Sequence, residues 1–185
     1  MVKQNSCVFI SGAGTNLKEL IKSSKDYNFP INICLVITNN KKAKGLSLAK
    51  LYGIPFKVLN LNLLTGQQKA LTELKKRKIT LVCLAGYMKI LSKDFIKKFN
   101  GKIINIHPSL LPKFKGLNAF SKVIKAKEKF TGCTVHFVNE NLDSGKIILK
   151  KKVLVHPKDS EDSLKLKVQK KEYKAYSEAI IKIYN

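Results

Sequence analysis

Cys7-Val8-Phe9-Ile10-Ser11-Gly12-Ala13-Gly14-Thr15-Asn16 joins a short apolar run to a glycine-bearing turn, and Leu17, Leu20 and Ile21 then recur at helical spacing. Four consecutive apolar residues bounded by turn formers read as a buried strand, and the recurrence after them as a helix. A strand that feeds directly into a helix opens a parallel crossover unit. Working outward, the alternation continues. Ile31 to Ile37 is strand-like, the segment around Leu46 to Leu51 closed by Gly53 is helix-like, and Phe56 to Leu59 is a third strand. A helix from about Thr65 to Arg77 and the apolar run Thr80 to Ala85 follow. In the second half, Lys102 to Ile106, Cys133 to Val138 and Ile147 to Val155 read as strands, with a helix between Leu117 and Ala126. Asp159 or Ser160 caps a last helix, whose first turn carries Glu161 and Asp162, favourable against the helix dipole. The expected fold is α/β: an open doubly wound sheet, parallel in its N-terminal half and extended by a mixed C-terminal part.

The turn Ser11 to Asn16 lies where an open parallel sheet binds ligands, and glycines ahead of a helix N-terminus let backbone N–H groups approach an anion. It is not a dinucleotide fingerprint, because Leu17 stands where a third glycine belongs and Thr38-Asn39-Asn40-Lys41 offers no acidic ribose ligand. It is not a nucleotide-triphosphate loop either, since no Gly-Lys-Ser/Thr closes it. A site for one phosphate monoester remains, helped by the hydroxyls of Ser11 and Thr15. A plain strand-to-helix turn, with Asn16 and Glu19 as a capping box, fits the same residues.

Asn105-Ile106-His107-Pro108-Ser109-Leu110-Leu111-Pro112 is the most specific stretch. The two-residue period of a strand puts Asn105 and His107 on one face and Ile106 on the other. Pro108 removes a ladder donor and ends the strand, so an amide and an imidazole are aimed together from a rim. Asp143, in Leu142-Asp143-Ser144-Gly145, is a turn former by local sequence. Brought beside His107, it would favour the imidazolium and raise the histidine's pKa.

The 185 residues are 44% apolar and 26% charged, enough for one globular core without disulfides or metal. Cys7, Cys34, Cys83 and Cys133 lie among apolar residues with no C-x-x-C pair and read as small core residues of a reducing compartment. His107, His136 and His156 lack metal-ligand spacing, so no metal is expected. No apolar run reaches the ~20 residues of a membrane span and no leader-like start is present, so a cytoplasmic protein without membrane partners is expected. The formal net charge of +24 suits a nucleic-acid binder, but Arg77 is the only arginine and the lysines run from Lys3 to Lys182 without gathering into an arm or stripe. This argues against nucleic acid and equally fits a field for an anionic small substrate.

Ser11 to Asn16, Ala85-Gly86-Tyr87-Met88-Lys89-Ile90-Leu91, Asn105 to Gly116 and Thr131-Gly132-Cys133-Thr134-Val135-His136-Phe137-Val138 occur in an order that resembles the phosphoribosylglycinamide formyltransferase family over nearly the whole chain. The resemblance implies a single formyltransferase domain over 1–185. It also implies transfer of the formyl group of 10-formyltetrahydrofolate, as co-substrate, to the amine of 5′-phosphoribosylglycinamide in purine synthesis. Asn105, His107 and Asp143 match the family's catalytic positions. Gly12, Ala13, Gly14, Thr15 and Asn16 would hold the 5′-phosphate; Met88, Lys89, Ile90 and Leu91, with Asn105, would line the folate site; Pro108 and Glu172 would contact the ribonucleotide. Leu164, Val168, Glu172, Ala175, Ala179 and Ile183 form a stripe that puts Glu172 on the buried face of the last helix, where a lysine partner is the alternative. Lys89 stands where the family often has arginine, and Phe120 where a histidine is common. A formyltetrahydrofolate deformylase-like hydrolase and a lysine-rich RNA-binding module are the competing readings, and monomer and homodimer both stay open.

Overall fold

The computed structural model describes residues 2–185, which fall into two compact units, the first ending at Ile104 and the second spanning Asn105–Asn185. In the first unit β1 (Gln4–Ile10), β2 (Ile31–Thr38), β3 (Phe56–Val58) and β4 (Leu81–Leu84) lie in the order β3-β2-β1-β4, with the pairings of β1 with β2 and β4, and of β2 with β3, all parallel. The connections are α1 (Thr15–Ser24), α2 (Gly45–Leu51) and α3 (Leu64–Lys76). This is the doubly wound half read from the sequence. Cys7 to Ile10 and Leu81 to Cys83 are wholly buried, as a parallel sheet covered on both faces requires. Phe9 meets Tyr87 and Phe95 edge-on, with centroids 5.5 and 6.1 Å away. Each such fully buried side chain contributes about 1.5–3 kcal/mol.

One element was not read from the sequence. α4 (Lys93–Lys98) is a single short helix whose Ser92 cap accepts from Phe95 N–H and whose Phe95 is buried. The Ser92-Lys93-Asp94 start carried the signal, but six residues are too few for a helical period to emerge. Cys7 and Cys83 are core residues as expected, whereas Cys34 is only half-buried, because it falls in the less covered first half of β2.

β5 (Lys102–His107) begins in the first unit and ends in the second. The second unit continues with α5 (Ala119–Lys125), β6 (Phe130–Phe137), β7 (Ile147–Leu154) and α6 (Glu161–Tyr184), in strand order β5-β6-β7. β6 and β7 pair antiparallel from Phe130 opposite Leu154 to His136 opposite Ile147, with a register shift between Val135 and His136. This is the expected mixed part. α6 packs on β6 and β7 and buries Leu164, Val168, Ala175, Tyr176, Ala179 and Ile180. The cap is Ser160, in a reciprocal pair with Ser163; Asp159 instead accepts from Ser163 Oγ and Lys167 Nζ, both at 2.7 Å. Glu172 and Ile183 are half-buried, so the apolar face is centred nearer Tyr176 and Ile180 than the stripe implied. Among the described residues no helix is long and apolar enough to cross a membrane.

Candidate active site

β5 ends where Pro108 interrupts it, and the last three residues of the strand carry Asn105 and His107 to the start of an irregular segment. β6, through Thr134, and β7, through Lys150, supply what holds that segment. Thr134 Oγ1 donates to Ser109 O at 2.7 Å and accepts from Leu111 N–H at 3.1 Å, and Lys150 Nζ donates to Leu111 O at 2.5 Å. Two residues further along the same face of β6 stands His136, 2% exposed. Asp143 arrives on the loop between β6 and β7. Gly145 lets that loop close, because a Cβ there would lie 1.7 Å from Phe137 O.

The acid and both imidazoles meet. Asp143 Oδ2 is 3.2 Å from His107 Nδ1, and Asp143 Oδ1 is 3.5 Å from His136 Nε2. Asn105 Nδ2 lies 3.3 Å from His136 Nε2 and donates to Asp143 Oδ1 at 3.4 Å. Gly116 N–H donates to Asp143 Oδ2 at 2.9 Å. Asn105, His107 and Asp143 therefore converge, as the strand period and the family resemblance anticipated. His136 was missed in this role: the alternation of Thr134 and His136 was visible, but which strand edge they face depends on the pairing of β6. Positive φ clusters here too, at Phe114 (57°), Asn118 (58°) and Asp143 (45°), conformations that cost energy and collect at functional sites.

Burial alone would raise the Asp143 carboxyl. The hydrogen bonds from His136 and the Gly116 N–H, with His107 alongside, outweigh it and hold Asp143 at about 2, so it is a carboxylate at neutral pH. His107 departs from the expected direction. Its pKa is lowered, because burial outweighs the Phe114 carbonyl and Asp143, both of which act upward, while His136 and Lys122 add to the lowering. His107 Nε2 is 2.8 Å from Phe114 O, an obligate acceptor, so Nε2 carries hydrogen. In the neutral ring the Nδ1 lone pair then faces the carboxylate. A proton added at Nδ1 converts that contact into a charge-assisted hydrogen bond. The group is thus a proton acceptor poised by its neighbours. The Asn105 amide makes two long contacts that a better acceptor can displace.

The other anticipated residues are distributed over both units. Gly12 to Asn16 is in the first unit, where Gly14 (φ 74°) is the residue before α1 and is pressed so closely on Gly45 that a Cβ would lie 2.7 Å from Gly45 Cα. α1 starts at Thr15 without a side-chain cap, so Asn16 is a buried residue of the first turn and forms no capping box with Glu19. The Ser11 hydroxyl is committed within the protein, donating to Asn39 Oδ1 at 2.6 Å and accepting from Met88 N–H at 2.8 Å, which removes it as a free phosphate donor. Also in the first unit, Met88, Lys89 and Ile90 are exposed and Leu91 is buried. In the second unit Pro108 is half-buried, and Glu172 is near Cys133: burial pushes that thiol up to about 12, with the Glu172 carboxylate the next cause. Among the described residues no three His, Cys, Asp or Glu side chains are arranged to hold a metal ion.

Residues 4–180 match the family model described as formyl transferase. The trifunctional purine biosynthetic protein adenosine-3 of Bos taurus is 43% identical over 96% of this chain, and the match spans only 18% of that protein's length. Phosphoribosylglycinamide formyltransferase of Haemophilus influenzae is 42% identical over 91% of this chain and 82% of its own. Among solved structures, the phosphoribosylglycinamide formyltransferase of Anaplasma phagocytophilum superposes with a TM-score of 0.90 at 41% identity, covering 96% of this chain and 85% of that one. The enzyme of the same name from Bacillus halodurans gives 0.92 at 34% identity, covering 97% and 95%.

Proposed function

The chain belongs to the formyl transferase family, and from that premise we propose that residues 1–185 act as one formyltransferase domain that passes the formyl group of 10-formyltetrahydrofolate to the amine of 5′-phosphoribosylglycinamide. The observation that carries this reading is the convergence of Asn105, His107 and Asp143. The amine nitrogen attacks the formyl carbon, and the carbonyl becomes an oxyanion on a tetrahedral carbon. Asn105 Nδ2 leaves its long contacts and donates to that oxyanion, a kind of interaction worth roughly 3–4 kcal/mol of barrier. His107, once protonated, donates as a second group by exchanging the Phe114 carbonyl for the oxyanion. The proton lost by the attacking nitrogen enters the His107–Asp143 pair and returns to N10 of the folate as the bond from carbon to N10 breaks, so no net proton is consumed.

Substrate placement belongs to the same proposal. Gly12, Ala13, Gly14, Thr15 and Asn16 hold the 5′-phosphate through backbone N–H groups at the start of α1. Met88 to Leu91 line the folate site, with exposed Met88 and Ile90 offering apolar contact, and Pro108 and Glu172 contact the ribonucleotide. The setting is cytoplasmic. A coupled assay of 10-formyltetrahydrofolate loss, with and without 5′-phosphoribosylglycinamide, tests the assignment. Consumption only in the presence of the amine supports it; equal consumption without the amine, or none with it, overturns it.

A further inference from the structure

Three loops leave neighbouring strands of the first unit, and one residue joins them. β1 lies between β2 and β4, and Ser11 is the first residue past its end. Toward β4, Ser11 N–H donates to Gly86 O at 3.2 Å and Ser11 Oγ accepts from Met88 N–H at 2.8 Å. Toward β2, Ser11 Oγ donates to Asn39 Oδ1 at 2.6 Å and Asn40 Nδ2 donates to Ser11 O at 3.1 Å. Gly45 N–H donates to Gly12 O at 3.0 Å on the same side. The order of donors is fixed. Asn39 Oδ1 takes the single hydroxyl hydrogen, which leaves a lone pair of Ser11 Oγ for the Met88 amide, and bonds linked in this way polarise one another. Met88 belongs to the irregular segment between β4 and α4 and is 68% exposed, so water would satisfy its N–H if the hydroxyl were missing. The bond is therefore not what keeps the unit folded. It sets where that segment stands relative to the turn after β1.

We propose that Ser11 is a positioning residue that couples the two substrate sites, so that a phosphate held by Gly12 to Asn16 tightens folate binding along Met88 to Leu91. The inference rests on the substrate placement given above. A phosphate on the backbone N–H groups of the turn orders that turn, and with it the Ser11 hydroxyl and the Met88 amide. The folate then meets a segment already set and loses less freedom on binding. Coupling of this kind is reciprocal, and the folate tightens the ribonucleotide by the same factor. Ser11 Oγ, engaged by Asn39 and Met88, acts through its neighbours and touches neither reactant.

Calorimetric titration with 5-formyltetrahydrofolate, whose formyl group sits away from the reacting nitrogen, gives a folate Kd with and without saturating 5′-phosphoribosylglycinamide. The ribonucleotide is expected to tighten the folate about fivefold or more in the unmodified chain and about twofold or less in Ser11→Ala. Ser11→Thr keeps the hydroxyl and should restore the coupling. The ribonucleotide alone should bind all three chains within about threefold, because its phosphate meets main-chain donors that the exchange leaves in place. Thermal melts establish that the variants are folded. Hydrogen exchange followed by NMR needs no variant: the Met88 amide should exchange more slowly once 5′-phosphoribosylglycinamide is bound, with folate absent. Binding of both ligands without mutual effect, equal tightening in the unmodified chain and Ser11→Ala, a Ser11→Thr chain that behaves as Ser11→Ala does, or unchanged Met88 exchange overturns the coupling alone. Binding of neither ligand overturns the substrate placement, and the coupling with it.

Discussion

Asp143→Asn removes one charge from the centre of the cluster while keeping the side chain's shape. The distance between the ordinary value of 3.8 and about 2 corresponds to roughly 2 kcal/mol of preference for the ionised form. With 6% of the side chain exposed, solvent discounts that little. A group held below its unfolded value stabilises the fold fully above about pH 4, and the contribution disappears as pH falls from about 4 to about 2. The variant should therefore melt about 4–8 °C below the unmodified protein at pH 7, at 2–4 °C per kcal/mol for a chain of this size. The difference should close as pH approaches 2. Turnover should fall further than stability, by roughly a hundred- to ten-thousand-fold, because the variant lacks the pair proposed to receive the proton. Melting followed by circular dichroism from pH 7 to 2.5, together with steady-state formyl transfer at 25 °C, measures both. A melting gap as wide at pH 2.5 as at pH 7, or turnover within threefold of normal, refutes the reasoning.

Asn105→Ala should lower kcat by roughly a hundred- to a thousand-fold while leaving KM for both substrates within a few-fold, as expected for a donor used at the oxyanion; steady-state kinetics decide, and an effect confined to KM counts against that role. The imidazole signals of His107 should titrate below 6.5 by NMR, and lower still in Asp143→Asn, because Asp143 acts upward on it. Its folded value lies below its unfolded one, so its contribution to stability is complete above 6.5 and is lost as pH falls through the lowered value; a midpoint above 6.5 contradicts the burial argument. Gly145→Ala must push its loop away from Phe137 O, and should cost tenfold or more in activity together with a lower melting temperature; unchanged activity would show that Asp143 does not depend on that closure.

Most of the architecture could be read because apolar runs and helical spacing alternate cleanly as far as Ala85. Asn105 and His107 were legible for a geometric reason, since two residues apart on a strand fixes a shared face. The parts that were hidden are those set by tertiary pairing. His136 looked like one more residue of an apolar strand until β6 brought its ring to Asn105 and Asp143. The direction of the His107 shift could not follow from residue types, because burial opposes Asp143 and only the packed structure says which prevails. The Phe114 carbonyl that occupies Nε2 is a backbone group on a residue at positive φ, invisible in any motif. Glu172 shows the reverse error: the stripe was real, but the helix turns its apolar face slightly away from it.

Thr134 binds the Ser109 carbonyl and the Leu111 amide through one hydroxyl, which ties the segment after β5 to the middle of a neighbouring strand. Valine has nearly the same outline but can neither give nor receive that hydrogen. An ordinarily conservative exchange at this position would thus strand two main-chain polar groups inside the protein, and harm to formyl transfer could originate in a side chain that never meets either reactant.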